Sequence, residues 1–292
     1  MTEYLEQLTA FQRLHPAAAA LFWTWTGACI GSFLNVCIWR VPNEMSLISP
    51  PSHCPKCGHR IPFYENIPVL SWFLLKGKCS SCREPISPRY PIVEGLTALT
   101  FSALLLFAPL GHLTGGRTAL AVPALILWFA TASVLIAAAF TDCDWRIIPD
   151  GFILPLLGAE VLYAALSAFL TDGNWTGRLA AAMGFGVQIV LMGLILTGIA
   201  LFGKALFGKT ALGWGDVKLL TAMTPVLTFY GMIWVILTAS VLLAACAPVY
   251  RKLKPKMRHR AMPFAPFIAL GAAIVFPVLP ELLKLTGLTL PR

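Results

Sequence analysis

Two stretches of this sequence place carboxylates beside long apolar runs. The first is Phe140-Thr141-Asp142-Cys143-Asp144-Trp145-Arg146-Ile147-Ile148-Pro149-Asp150, and the second is Gly213-Trp214-Gly215-Asp216-Val217-Lys218. Two carboxyl groups that share a site do not both ionise easily, so one keeps its proton beside an ionised partner. The ionised group can activate a water, and the protonated one can protonate a carbonyl oxygen or a leaving amine. That is the chemistry of an aspartyl protease, and it calls for neither a metal nor a covalent enzyme intermediate. Gly213 and Gly215 lack a Cβ and so allow a substrate backbone to approach Asp216. In the first stretch, Asp142 ends an apolar run and is nearest the bilayer. Asp150 follows Pro149 and reads as a helix N-cap, and Asp144 can pair with Arg146 or sit in solvent. The competing reading makes these aspartates merely caps at loop–helix junctions.

A second set of reactive residues is Cys54-Pro-Lys-Cys57-Gly58 and Cys79-Ser-Ser-Cys82, two C-x-x-C turns separated by 21 residues. Cys54, Cys57, Cys79 and Cys82 match a structural four-thiolate zinc site, which leaves no open position for catalysis. About 50 residues cannot build a sufficient core alone, so a metal supplies folding energy. Disulfides are the alternative, and a reducing cytoplasm disfavours them. His53 and His59 flank the first turn as polar loop residues. Cys29, Cys37, Cys143 and Cys246 lie in or beside apolar runs as small buried side chains.

The elements that must position these groups are membrane helices. The chain has 292 residues, 58% hydrophobic and 12% charged, against about a quarter charged in soluble domains. Continuous apolar runs without alternation favour helices, and each is long enough to span. The pattern predicts an all-α polytopic membrane protein with about eight transmembrane helices, near 17–39, 91–110, 119–141, 151–171, 178–202, 217–229, 231–249 and 264–285. The sixth is short, a half-span or a tilted segment. The N-terminal residues do not read as a cleaved signal. The expected organisation is an N-terminal segment and first span over 1–39, a small cytoplasmic zinc insert over 40–90, and a membrane-embedded core over 91–292.

Alternating the spans from a cytoplasmic insert puts seventeen of the 22 Lys and Arg residues on the cytoplasmic face. The net charge of +9 is therefore a topology signal rather than a nucleic-acid footprint. The basic run from Arg251 to Arg260 reads as a contact with anionic lipid. On this topology Asp142 and Asp216, 74 residues apart, both lie at the cytoplasmic membrane edge.

These residues together resemble the bacterial type IV prepilin peptidases, over nearly the whole chain. The resemblance rests on Gly31-Ser32-Phe33-Leu34-Asn35-Val36 with Arg40, and on the paired C-x-x-C turns. It extends to Glu65-Asn66-Ile67-Pro68, Arg89-Tyr90-Pro91 with Glu94, the D-x-D-x4-P-D stretch from Asp142 to Asp150, and the G-x-G-D motif ending at Asp216. It implies that Asp142 and Asp216 are the catalytic pair. It also implies prepilin and pseudopilin substrates, each with a basic leader cleaved after a glycine at the inner-membrane edge. N-methylation of the new N-terminus from S-adenosyl-L-methionine is expected to follow, although no glycine-rich nucleotide-binding turn is visible. One departure is Pro263-Phe264-Ala265-Pro266, where the family usually has P-F-G-P. It is expected to lie away from the aspartates.

Because the cytoplasmic face is basic, a local acidic patch should receive the basic leader. Glu44, Glu65, Glu84, Glu94, Asp144 and Asp150 are the candidates, with Glu65 and Glu94 foremost. Glu65, Asn66 and Glu94 could instead serve methyl transfer or be structural. Glu160, in the middle of the fourth span, has no peptidase role and suits either a buried polar contact or a proton pathway in a transporter. A transporter would show paired midplane acids, and an inactive zinc-dependent scaffold would tolerate loss of both aspartates.

Overall fold

The computed structural model describes residues 14–107, 121–169, 175–208, 212–253 and 262–285. All regular elements among them are helical: α1 Pro16–Arg40, α2 Leu70–Leu74, α3 Arg89–Phe107, α4 Ala121–Trp145, α5 Asp150–Phe169, α6 Trp175–Phe207, α7 Trp214–Ala222, α8 Thr224–Leu253 and α9 Ala265–Leu285. Five segments are long and apolar enough to cross a membrane: Pro16–Arg40, Pro123–Trp145, Asp150–Phe169, Met183–Leu206 and Thr224–Lys252. Ala265–Val278 is a shorter apolar helix. The outer faces suit lipid: Leu99, Val187, Leu194, Phe202 and Val241 are all more than half exposed. This is a multi-pass membrane architecture, because only helices with internally satisfied backbones persist in hydrocarbon without closing a barrel.

The stretch expected as a sixth span takes another form. α7 has nine residues, a rise of about 14 Å and too short to span. α8 then begins at Thr224 and breaks helical geometry at Thr228 (φ 64°, ψ 160°) before running on to Leu253. Arg146, just past α4, donates to the Tyr250 hydroxyl near the end of α8 at 3.3 Å. The start of α7 and the end of α8 thus both lie on the side of the bundle that carries Asp142.

The chain divides into two compact units, Glu3–Pro109 and Leu110–Arg292 with Met1–Thr2. In the first, α1 and α3 pack almost backbone to backbone. A Cβ on Gly27 would lie 2.8 Å from the Ala98 Cα, and one on Gly31 would lie 2.6 Å from the Glu94 Cα. Small residues four apart on a membrane helix allow this approach. Hydroxyls of Thr24 and Ser102 add a bond across the same seam. In the second unit, α4 to α9 close around a core that includes Leu156, Met192, Leu196, Leu220, Met223, Met232 and Ile268. Gly271 of α9 lies against α8, where a Cβ would meet the Val235 carbonyl oxygen at 2.9 Å.

Candidate aspartate site and four-cysteine cluster

The second unit gathers the aspartates. Asp142 sits in the last turn of α4, 8% exposed. Its Oδ2 accepts the backbone N–H of Ala265 at 3.0 Å. Ala265 is the first residue of α9, so Asp142 meets the positive end of a helix whose first N–H groups lack internal partners. The Pro263–Pro266 segment, expected away from the aspartates, therefore touches one of them. The sequence reading considered side chains there, whereas the contact is made by a backbone N–H that any residue except proline supplies.

Asp216 is the third residue of α7, after the N-cap Gly213. Its carboxylate reaches back to the Gly213 N–H, the acidic half of a capping box. Its Oδ1 is buried and no described group hydrogen-bonds it. Burial, and then the negative charge of Asp142, push the Asp216 carboxyl up to about 7. The charge of Asp142 acting on Asp216 puts the two carboxyls within electrostatic reach of each other. α7 itself is not one of the apolar spans.

The glycines of the motif have intramolecular reasons. A Cβ on Gly213 would lie 2.9 Å from Asp216 Oδ2, and one on Gly215 would lie 3.0 Å from the Ile148 Cβ. A side chain at either position would crowd the Asp216 carboxylate or the α4–α5 connection. Asp150, expected as a cap, opens α5 and binds Lys218 of α7 through both oxygens at 2.7 and 3.0 Å. It joins the two elements that frame the site. Asp144, in the last turn of α4, is exposed. Glu160 is 1% exposed in α5, with both carboxylate oxygens unpartnered among the described residues.

The first unit holds the cysteines. Cys54, Cys57, Cys79 and Cys82 place their sulfurs within 4.8 Å of one another. Cys54 and Cys82 sulfurs are 3.8 Å apart, and Cys57 and Cys79 sulfurs 4.0 Å. A tetrahedral ion with Zn–S bonds of about 2.3 Å needs sulfurs about 3.8 Å apart, so the set fits zinc. The two turns have the same construction. Bridges His53↔Arg60 and Lys78↔Pro85 close them, and Cys54 and Cys79 each accept a bond from the backbone N–H four residues on. Those residues, Gly58 and Arg83, both have positive φ, at 73° and 61°. Glycine marked the first position in the sequence, and nothing marked the second. Backbone N–H groups of Cys57 and Lys56 lower the Cys54 thiol to about 7, and those of Cys82 and Ser81 lower Cys79. Both shifts favour the thiolate that binds metal.

Glu65 and Glu94 are engaged inside this unit. Glu65 accepts the Ser80 hydroxyl at 2.7 Å and lies 3.9 Å from His59 Nε2, joining the two cysteine turns. Glu94 accepts the Val69 N–H at 2.6 Å and a bond from Ser32. Val69 has φ 64°, a strained conformation for a β-branched residue. Arg40 donates to the carbonyls of Ser46 and Pro50 at 2.8 and 2.6 Å, and Asn35 donates to Tyr90 at 3.1 Å. These contacts account for the motif residues as a polar framework between helices and insert.

These features define a multi-pass helical membrane protein with a four-cysteine cluster, a buried Asp142 and a half-buried Asp216. Residues 25–108 match the Bacterial Peptidase A24 N-terminal domain, and residues 129–248 match the Type IV leader peptidase family. The chain is 35% identical over 280 residues to the type 4 prepilin-like proteins leader peptide-processing enzyme of Escherichia coli O78:H11, covering 88% of this chain and 93% of that protein. It is 34% identical over 270 residues to a prepilin leader peptidase/N-methyltransferase of Aeromonas hydrophila, covering 84% and 86%. A Myxococcus xanthus protein with that same name is 38% identical over 221 residues, which are 76% of this chain and 60% of that longer protein. No solved structure matches. The chain belongs to the type IV leader peptidase family.

Proposed function

We propose that this protein is an aspartyl endopeptidase that removes the basic leader from type IV prepilins and pseudopilins. The observation that carries this reading is the placement of half-buried Asp216, with its Oδ1 buried, within electrostatic reach of buried Asp142 in a member of this family. Asp142, facing the α9 N-terminus, is the base. It takes a proton from water, whose oxygen attacks the scissile carbonyl carbon while Asp216 protonates the carbonyl oxygen. The tetrahedral species then breaks its C–N bond, the proton held by Asp142 goes to the leaving amine, and one hydroxyl returns its proton to Asp216 as the carbonyl re-forms. Gly213 and Gly215 keep Asp216 in position.

The site faces the cytoplasm of the inner membrane, on the side rich in Lys and Arg. α7 and the segment up to Thr228 form one arm of a hairpin whose other arm is the rest of α8, which preserves the parity of eight passes. The four cysteines hold structural zinc, which fastens the insert. Methylation of the new N-terminus follows the printed name of two relatives, with S-adenosylmethionine as donor. Glu65 and Glu94 make internal bonds, which supports a structural role for them. Of the acidic residues considered for the leader, Glu84 also faces Lys56 at 3.9 Å and Asp150 holds Lys218. Glu44 remains the candidate to receive it.

The test is co-expression with a prepilin-like substrate, scoring cleavage and the mass of the new N-terminus. Asp142→Asn and Asp216→Asn should each abolish cleavage at unchanged abundance. Near-normal turnover in either variant would remove that residue from the mechanism.

A further inference from the structure

α2 is a five-residue helix with a divided surface. Ser71 is buried, and Trp72 turns inward, donating from Nε1 to the Ile86 carbonyl at 3.0 Å and lying under Gly77. Leu70, Phe73 and Leu74 fall at i, i+3 and i+4, one helix face, and are 54%, 64% and 76% exposed. Three large apolar side chains on one side of a polar insert form an unusual exposed patch.

The attachment of α2 fixes what lies beside it. Glu94 of α3 holds the N–H of Val69, the residue immediately before α2. The membrane edge of this unit is marked by Trp39 at the end of α1 and Tyr90 at the start of α3, both about half exposed as interfacial aromatics often are. Glu94 lies one helical turn beyond Tyr90, in the direction of the apolar segment of α3. The bond to Val69 therefore draws α2 to the depth of the headgroup–acyl boundary. Exposed Leu96 and Leu99 continue the apolar surface along α3. Lys76 and Lys78, both exposed, follow α2 and suit anionic headgroups.

We propose that Leu70, Phe73 and Leu74 insert into the interface of the protein's own bilayer, so that the insert is anchored to lipid as well as to α1 and α3. Glu94 is then the residue that sets the depth of this anchor. The inference rests on the multi-pass membrane architecture and is independent of the peptidase chemistry.

The experiment places the photoreactive residue benzoylphenylalanine at position 73, and separately at exposed Ser81 on the second cysteine turn. The full-length protein is reconstituted in vesicles of phosphatidylcholine and phosphatidylglycerol, irradiated and analysed by mass spectrometry. Acyl-chain adducts should form at 73 several-fold more than at 81. In a Glu94→Ala background the adduct yield at 73 should fall toward that at 81. Equal yields at both positions, or adducts at 73 to a second copy or to an added prepilin-like substrate instead of lipid, would overturn the proposal. Because the readout is an adduct, loss of peptidase activity in the same preparation would count against the aspartate mechanism and leave this result standing.

Discussion

The two units of the chain treat their polar groups differently. In Glu3–Pro109, Asn35, Arg40, Glu65, Trp72 and Glu94 each bond a partner in another element or loop, and they bind α1, α3 and the insert together. Buried polar atoms without a hydrogen-bond partner among the described residues are one in the first unit, His59 Nε2, which faces Glu65 at 3.9 Å, and oxygens of Asp216, Glu160, Gln188 and Thr221 in the second. A buried polar group without a partner costs stability, so a fold keeps few of them. Asp216 differs from the other three in the second unit because a second carboxyl, that of Asp142, lies within electrostatic reach of it. The polar residues of the first unit tie its elements together, while in the second an Asp216 oxygen is left without such a bond among the described residues.

The largest effect that would sharpen this contrast is loss of metal. Zinc binding in small domains contributes on the order of 10 kcal/mol. Cys54→Ser or Cys79→Ser should lower zinc from about one per chain and unfold the insert, seen by metal analysis and proteolysis. Fully reduced, well-folded protein without zinc would break it.

Gly213→Ala comes next. The added Cβ meets the Asp216 carboxylate at 2.9 Å, and misplacing a catalytic group by about 1 Å can cost about 100-fold in rate. The expected result is a lower kcat with little change in melting temperature.

A third prediction concerns pH. Asp216 keeps its proton up to about 7, so cleavage should fall as pH rises through that value and the acid is lost. Above it, kcat/KM should drop about tenfold per pH unit. A flat profile from pH 6 to 9 would contradict the assignment of Asp216 as the acid.

Glu94→Ala should act on the other unit. It removes the acceptor for a strained turn at a cost of about 1–3 kcal/mol, read as a lower melting temperature with KM unchanged. Glu94→Gln, which still accepts from Val69, should be milder. A raised KM for a basic-leader substrate would return Glu94 to substrate binding.

The smallest effect belongs to Ala265→Gly. The N–H that meets Asp142 is retained, and the extra backbone freedom costs at most about 1 kcal/mol, so activity should stay close to wild type. A large loss would show that the Ala265 side chain, rather than its backbone, supports the site.

Much of this was legible in residue types and spacing. The two C-x-x-C turns identified a metal cluster because ligand spacing is local. The aspartates announced themselves because charge beside an apolar run is costly. Three features were hidden. The Ala265 contact is made by backbone, which carries no signature in residue type. The ion pair of Asp150 with Lys218 joins residues far apart in sequence. The break at Thr228 escaped hydropathy, since an apolar run shows its length and not its folds, whereas the shortness of the sixth segment was visible.

The most direct measurement is a double-mutant cycle on purified, reconstituted protein with a basic-leader substrate. Asp142→Asn, Asp216→Asn and the double variant are compared by turnover. If the two carboxyls work as one unit, each single variant loses nearly as much as the double, because removing either partner disables the shared proton transfer. Losses that multiply, or either single variant with wild-type turnover, would contradict a shared aspartate site.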